Sequence, residues 1–256
     1  MNPFAGKLTL ITGASSGIGR QTALDFAARG AHLILVARRE ELLNQVAEEI
    51  RVSGGQAHVL PCDLADAHAR NQLIADISSR RSPPDILINN AGYGNYRPFI
   101  KETPSDIARM MEVNYHAPAH LMSAFLPAMI ERGSGAVVNV SSGAGKVALP
   151  FMAIYCAAKF ALCALTEAVS YELAGTGVTI HLINPGPVDT DFFRAGAWEG
   201  KPSRKKATPR RVSQAVQDAI RHHRLISYVP PRRGLMVYAF NLLGPIGRLA
   251  VRRKYR

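Results

Sequence analysis

Short apolar runs alternate with amphipathic stretches along most of the chain. Six runs rich in Val, Ile and Leu have the length of strands and are often continuously apolar, as expected for strands buried on both faces of a parallel sheet. They are Leu8–Thr12, Leu33–Val36, Ala57–Leu60, Ile86–Asn89, Ala136–Val140 and Val178–Ile183. The stretches between them have apolar positions at helical spacing: Ile18–Arg29, Glu40–Val52, Ala67–Arg80, Pro104–Ile130 and Met152–Ala174. This alternation predicts an α/β fold with a doubly wound parallel sheet.

The pattern changes after residue 190. Residues 191–210 mix Gly, Pro, Lys and Arg and are predicted to form a mobile loop beside a substrate. A short helix, Arg211–His223, and a short strand, Leu225–Val229, then complete a single domain that we assign to residues 1–230. Residues 231–256 are predicted to form a basic, partly apolar C-terminal extension.

Charge is concentrated in the last part of the chain. Among its 256 residues, 47% are hydrophobic and 20% are charged, which excludes a disordered or collagen-like chain. The formal net charge is +12, yet residues 201–256 hold 15 of the 31 Lys and Arg residues and one acidic residue, Asp218. The body is therefore near neutral. No pattern of stacking aromatics or of groove-reading residues accompanies the charge of the basic tail, so we expect no nucleic-acid partner.

Cysteine usage and the apolar segments bear on the compartment. Cys62, Cys156 and Cys163 form no CxxC pair, so neither a disulfide framework nor a metal site is predicted. The longest charge-free stretch of the tail, Gly234–Gly247, is too short to span a bilayer, and Pro245 argues against one long helix there. We expect a cytoplasmic protein, with peripheral membrane contact through the tail left open.

A glycine-rich segment, TGASSGIG at residues 12–19, lies between the first predicted strand and the first predicted helix. Gly13 allows a tight turn, Gly17 lets the backbone approach a pyrophosphate, and Gly19 lets the helix pack closely on the strand. The helix N-terminus then offers free N–H groups to phosphate. We predict a dinucleotide site formed here by Gly13, Ser15, Ser16, Gly17, Ile18 and Gly19.

The end of the second strand bears on cofactor preference. An acidic residue there would bind a ribose 2′-hydroxyl, whereas an arginine would accept a 2′-phosphate. The sequence is Val36-Ala37-Arg38-Arg39, with no acid before Glu40. A guanidinium forms forked, charge-assisted bonds to phosphate, so Arg38 predicts NADP(H), and Arg39 is interpreted as a solvated residue at the helix start.

Two further strand ends carry polar residues. Asp63 is interpreted either as an acceptor for the adenine amino group or as a helix N-cap. Asn90, after the fourth strand, is predicted to line the cofactor, and Asn89 to brace the sheet.

Tyr155 and Lys159 are four residues apart on a predicted helix, so their side chains share one face. A free tyrosine has a pKa of about 10 and is a poor base near neutrality. Bringing that pKa near 7 takes on the order of 4 kcal/mol, which a nearby ammonium and a positive nicotinamide ring would supply in a partly desolvated cleft. Tyr155 could then exchange a proton with a carbonyl or alcohol oxygen.

The order of these motifs resembles that of the single-domain short-chain dehydrogenase/reductase family. The resembling segments are TGASSGIG (12–19), NNAG (89–92), Asn114, Ser142, YCAAK (155–159) and NPGPVDT (184–190), and they cover about residues 7–190. The resemblance implies a Rossmann-like sheet of about seven strands and hydride transfer without a metal. It also implies homodimers or homotetramers built on the two long helices.

The resemblance also implies roles for individual residues. Tyr155 would be the general acid/base, Lys159 would hold the nicotinamide ribose and lower the tyrosine pKa, and Ser142 would polarise the substrate carbonyl. Asn114 would hold a water in a proton relay to Lys159. The residues implied to meet the nicotinamide are Pro185, Gly186, Val188 and Thr190.

The tail departs from family members that reduce carrier-bound acyl groups and looks more like members acting on steroids, retinoids or long-chain lipid carbonyls. Aromatic and apolar side chains of the loop 191–210 and of the tail either cover an apolar pocket or pack the tail on the body. They are Phe192, Phe193, Trp198, Met236, Tyr238 and Phe240. We expect an NADP(H)-dependent oxidoreductase for an apolar ketone, aldehyde or alcohol. The alternative is an NADPH-binding module that docks on a membrane or a protein with little turnover.

Overall fold

Seven parallel strands form one sheet in the order β3-β2-β1-β4-β5-β6-β7. The computed structural model describes residues 2–80, 82–190, 192 and 206–254. The strands are β1 (Leu8–Thr12), β2 (His32–Ala37), β3 (Gln56–Pro61), β4 (Ile86–Asn89), β5 (Gly135–Val140), β6 (Val178–Pro185) and β7 (Ile226–Val229). The predicted α/β class and doubly wound sheet are confirmed, and strand order reverses between β1 and β4, where ligands bind in such sheets.

Helices cover both faces of the sheet. They are α1 (Gly17–Ala27), α2 (Glu40–Val52), α3 (Ala67–Arg80), α4 (Pro104–Met111), α5 (Ala117–Glu131), α6 (Ala153–Glu172), α7 (Pro209–Arg221), α8 (Arg232–Leu243) and α9 (Pro245–Lys254). Successive side chains of a strand point to opposite faces, so each strand feeds two cores. On β1, Ile11 belongs to the core that contains Phe26 and Val216, while Leu10 belongs to the core that contains Ile77 and Phe125. The continuous apolar runs follow from this double burial.

The predicted helix Pro104–Ile130 is interrupted in the structure. It begins with Thr103 and Asp106 in a capping box and then passes through a π-helical turn, Glu112–His116, between α4 and α5. Asn114 lies in this turn and is buried, and its Nδ2 donates to the carbonyl oxygens of Met110 and Tyr93 at 3.0 and 2.9 Å. Periodicity alone does not reveal one extra residue in a helical turn, and such bulges are frequent at functional sites.

The C-terminal extension folds as two short helices. Gly244, with φ of +47°, separates α8 from α9, which begins at Pro245, so the prediction against one long helix is confirmed. Among the described residues, α6 is the one helix with the length and apolar composition to cross a membrane. Tyr155, Lys159 and Leu162 of α6 are buried inside the protein, as expected for a core helix.

Candidate active site

The glycine-rich turn between β1 and α1 is closed too tightly for side chains. A Cβ on Gly13, where φ is +67°, would lie 2.9 Å from the Cα of Ala91. A Cβ on Gly17 would lie 2.9 Å from Cγ2 of Thr190, which places the predicted residue Thr190 directly against the turn. Gly19 is buried and faces the carbonyl of Gly13. The glycines thus bring the turn, the start of α1 and the segment after β6 together.

Arg39 is exposed at the N-cap of α2, in keeping with its interpretation as a solvated helix-start residue. Its guanidinium also donates to the hydroxyls of Ser16 at 2.9 Å and Ser15 at 3.3 Å, across from the end of β2 to the glycine-rich turn. Arg38 is exposed at the same strand end. Two arginines therefore lie at the strand end where the 2′-phosphate is predicted to bind, and the contact of Arg39 with the glycine-rich turn was not predicted.

Asp63, beyond β3, is held by an ion pair. Its Oδ2 accepts from Arg109 at 2.7 Å, and its Oδ1 accepts from the amide of Ala65 at 3.0 Å. Partial burial acts to raise the pKa of Asp63, but these bonds and the charges of Arg109 and Arg38 hold it below its ordinary value. The N-cap alternative is not observed, because Asp66 accepts from the first amides of α3 instead.

The two asparagines after β4 both brace the fold. Asn89 donates to Oδ1 of Asn139 on β5 at 2.9 Å, as predicted. The side-chain amide of Asn90 donates from Nδ2 to the carbonyl oxygens of Thr12 at 3.0 Å and Gly13 at 3.4 Å. The Asn90 side chain therefore holds the glycine-rich turn, a contact that the prediction for this residue did not include.

Tyr155 is buried at the start of α6, close to Ser142 at the end of β5. Its ring meets that of Phe192 edge-on, with centroids 5.6 Å apart. Burial raises the pKa of Tyr155 above its ordinary value, and the nearby hydroxyl of Ser142 opposes this rise. The expected lowering of the phenol pKa is therefore not a property of the protein alone, because desolvation disfavours the phenolate.

Lys159 lies one helical turn further along α6. Its Nζ is 5.9 Å from the centroid of the Tyr155 ring and donates to the carbonyl oxygen of Val140 at 3.0 Å. Burial lowers the pKa of Lys159 to about 8. Tyr155 and Lys159 lie on one face of α6, as predicted. The hydroxyl of Ser141 is hydrogen-bonded elsewhere, to the carbonyl oxygen of Lys159 and to Sγ of Cys163.

Asn114 faces Lys159 across Gly92. In the part of the chain that the structure describes, Oδ1 of Asn114 is buried without a hydrogen-bond partner. A Cβ on Gly92 would lie 2.8 Å from this oxygen and 3.5 Å from Nζ of Lys159. Because Gly92 has no side chain, the Asn114 amide oxygen and the Lys159 amine face the same small space.

The segment after β6 forms the opposite wall. The amide of Gly186 donates to Val229 at 2.8 Å, and Val188 is buried in the core. Gly186 is packed against the guanidinium of Arg233, from α8, and a side chain at Gly186 would occupy the same space. Arg233 is half-buried, and burial beside Arg232 lowers its pKa. Sequence analysis missed this arginine because its contact joins segments 47 positions apart.

Comparison with known proteins identifies the same family that the sequence motifs resemble. The family described as short chain dehydrogenase matches residues 7–199. The chain belongs to the short-chain dehydrogenase family. These proteins are oxidoreductases, and the observed sheet and the Ser142, Tyr155 and Lys159 cluster fit that membership.

Relatives within the family differ in length. A short chain dehydrogenase of Pseudocercospora fijiensis is 39% identical over 190 residues, which cover 73% of this chain and 61% of the relative. A fatty acyl-CoA reductase of Mycobacterium tuberculosis is 36% identical over 248 residues, which cover 94% of this chain and 82% of the relative. The chain thus spans less than two thirds of the first relative and most of the second.

Solved structures share the fold. A short-chain dehydrogenase from Sphingobium yanoikuyae in complex with NADPH superposes with a TM-score of 0.84 at 28% identity, covering 93% of this chain and 94% of that one. A short chain dehydrogenase/reductase from Burkholderia phymatum in complex with NAD gives 0.83 at 27% identity, with the same coverage. The two neighbours therefore carry different nicotinamide cofactors on one architecture.

The aromatic roof suggested for the tail is not formed as a whole. Phe192 contacts Tyr155, but Met236 and Tyr238 are 67% exposed and point away from the body. Phe193 and Trp198 lie outside the described residues, as does most of the predicted substrate loop 191–210. The apolar surroundings of Tyr155 come instead from Met110, Ala144, Met152, Ile154 and Cys156, with Tyr93, Tyr96, Leu149 and Phe192 against them.

Proposed function

We propose that this protein is an NADP(H)-dependent oxidoreductase that interconverts a ketone or aldehyde and an alcohol. The observation that carries the proposal is the buried Tyr155 close to Ser142, with the amine of Lys159 one turn away on the same helix. A hydroxyl pair of this kind suits the oxygen of a carbonyl that accepts hydride.

The residues present fit a nicotinamide dinucleotide. The glycine-rich turn has no room for side chains at Gly13, Gly17 and Gly19 and ends at the N-terminus of α1, where N–H groups are available to a pyrophosphate. Thr190 lies against Gly17 on the far side of the same crevice. We assign the cofactor to this crevice, with Pro185, Gly186, Val188 and Thr190 towards the nicotinamide, and when bound it supplies or accepts the hydride.

Proton transfer falls to the chain's own residues. Because burial keeps the Tyr155 phenol protonated, it is ready to donate its proton to a carbonyl oxygen held by Ser142. The amine of Lys159, with a pKa of about 8, and the unpartnered Oδ1 of Asn114 share the space beside Gly92. A water there would join them and return a proton towards Tyr155.

Preference for NADP(H) over NAD(H) is supported by the pair of guanidinium groups. Arg39 already bonds to Ser15 and Ser16 of the turn, and Arg38 is exposed beside it. A 2′-phosphate would receive charge-assisted bonds from this pair, whereas a ribose hydroxyl would leave two cations unneutralised. Asp63, paired with Arg109, is in place to accept from an adenine amino group.

An apolar substrate is supported by the side chains around Tyr155, which are almost all aliphatic or aromatic. The relative from Mycobacterium tuberculosis is described as a fatty acyl-CoA reductase, which is in keeping with a substrate that carries a long apolar chain. We propose a lipid- or steroid-like carbonyl as the substrate class.

The test is NADPH consumption by the purified protein with a panel of apolar ketones and aldehydes. We expect Tyr155→Phe to lose roughly 10²–10⁴-fold in kcat while NADPH binding, followed by cofactor fluorescence, is retained. Tyr171→Phe is the matched control, because Tyr171 is on the same helix and exposed. Turnover by Tyr155→Phe at the wild-type rate would refute the assigned role.

The alternative of a cofactor-binding docking module with little turnover makes a different prediction. It expects NADPH binding without consumption on any carbonyl of the panel, in the wild type as in Tyr155→Phe.

A further inference from the structure

Helix α8 has its apolar face turned away from the body. Leu235, Tyr238 and Leu242 recur at the i, i+3 and i+7 spacing of one helical face and are 73%, 67% and 74% exposed. Met236 and Leu243 widen the same face and are also exposed. We call these five residues the apolar stripe. The side of α8 that meets the body carries Arg233, against Gly186, and Gly234, against the Tyr228 ring, while the half-buried Phe240 packs on Gly247 of α9.

An ordinary surface helix exposes its polar side, whereas the exposed side of α8 carries large apolar side chains. The stripe continues into α9, where Ile246 and Leu249 are exposed. Exposed large apolar side chains scattered singly need no explanation, but a contiguous set on one helix face indicates an interaction surface.

Cations stand at both ends of the stripe. Arg232 opens α8 and Arg248 lies in α9, and both are exposed. Further cations follow at positions 252–254 and 256, and the sequence contains no Asp or Glu after Asp218. Residues 234–247 between these groups carry no charge. An apolar centre with cationic ends is the pattern of helices that lie in a lipid interface, with aliphatic side chains among acyl chains and cations among phosphates.

We propose that α8 and α9 dock this protein on an anionic phospholipid surface through the apolar stripe. A second copy of the chain fits the surface less well, because a two-fold contact would bring the basic ends of two copies together. Gly244 and Pro245 separate the two helices, and Gly247 packs α9 against the Phe240 ring of α8.

Docking would also orient the active site. Arg233, on the opposite side of α8, is packed against Gly186 at the end of β6. The docked helix is therefore one helix diameter from the wall assigned to the nicotinamide. This consequence rests on the proposed function; the docking itself does not.

The experiment is co-sedimentation of the full chain with vesicles of phosphatidylcholine alone or of phosphatidylcholine mixed with phosphatidylglycerol. We expect the wild type to bind the mixed vesicles at least tenfold more strongly, and added salt to weaken that binding. The double variant Leu235→Asp/Leu242→Asp is expected to lose at least tenfold in binding. Ile100→Asp is the matched control, since Ile100 is 92% exposed but lies elsewhere, and it is expected to bind as the wild type does.

Two further measurements separate the possible outcomes. NADPH consumption and circular dichroism of the double variant in solution report whether it is folded, and Leu242→Ser replaces it if it is not. No binding of the wild type to mixed vesicles, or equal binding of the stripe variant, overturns the proposal. It is also overturned if light scattering finds a wild-type dimer that Leu242→Ser converts to monomers while vesicles capture neither form. Vesicle binding by a protein that consumes no NADPH would leave docking standing and refute the proposed enzyme.

Discussion

Replacing Lys159 with methionine tests how much stability the protein loses by burying an amine. Lys159 is buried with one hydrogen bond, to the Val140 carbonyl, and its pKa is lowered to about 8 by burial. An ordinary lysine has a pKa of about 10.4. Between these two pKa values the amine is mostly protonated in the unfolded chain and mostly neutral in the folded protein. The free energy of unfolding therefore rises with pH across this range.

The magnitude follows from the two pKa values. At pH 7 the charged amine destabilises the folded protein by about 3 kcal/mol relative to the neutral form, and at pH 10 by about 1 kcal/mol. We expect the free energy of unfolding of the wild type to gain about 2 kcal/mol relative to Lys159→Met when the pH is raised from 7 to 10. The lost bond to Val140 adds an offset that does not depend on pH.

The assay is urea denaturation of both proteins without cofactor at pH 7, 8.5 and 10, with the difference between them taken at each pH. Other titrating groups cancel in that difference, and the variant is expected to have lost turnover while remaining folded. A difference in the free energy of unfolding that stays constant across the range, or one that changes with the opposite sign, would refute the inference that burial of the charged amine destabilises the folded protein.

Three other predictions concern the ends of the site. Arg38→Asp and Arg39→Asp are each expected to lower the ratio of kcat/KM for NADPH to that for NADH by at least tenfold, since each removes a charge-assisted bond of about 1.5–3 kcal/mol; an unchanged ratio would reject the 2′-phosphate role. Asn114→Ala is expected to lower the free energy of unfolding by about 2–4 kcal/mol, because the carbonyl oxygens of Met110 and Tyr93 lose their donor. Urea denaturation measures this change, and a loss below about 1 kcal/mol would contradict the prediction. Arg233→Met is expected to lower the free energy of unfolding by about 1 kcal/mol, measured by urea denaturation, because the half-buried guanidinium packs against Gly186, and the exposed neighbour Arg232→Met should change it by less than about 0.5 kcal/mol; equal losses in the two variants would contradict this.

Local patterns were sufficient to predict the seven strands and most of the helices as far as α7, but not the π-helical turn or the helices α8 and α9. The strands are continuous apolar runs because each is buried on both faces, and that burial is recorded in composition residue by residue. Spacing along a helix likewise placed Tyr155 and Lys159 on one face, since four residues return to the same side in any helix. The glycine-rich turn was recognisable because its conformation excludes side chains at fixed positions.

Contacts between distant segments required the tertiary structure. Arg39 reaches Ser15 and Ser16 only because β1 and β2 are neighbours whose carboxyl ends meet at one edge of the sheet. The same holds for Arg233 against Gly186, where β6 pairs with β7. Nothing in the sequence near either arginine encodes its partner, because the partner is chosen by strand order.

Environment was the second property that the tertiary structure decided. The sequence predicted a phenol whose pKa is lowered by a neighbouring amine together with a positive nicotinamide ring. In the protein without cofactor, burial of Tyr155 raises that pKa and burial of Lys159 lowers the pKa of the amine. Desolvation depends on all the atoms that surround a group and has no signature in residue spacing. The outward direction of the apolar stripe on α8 is of the same kind: periodicity shows that a helix has an apolar face, and only packing shows which way that face points.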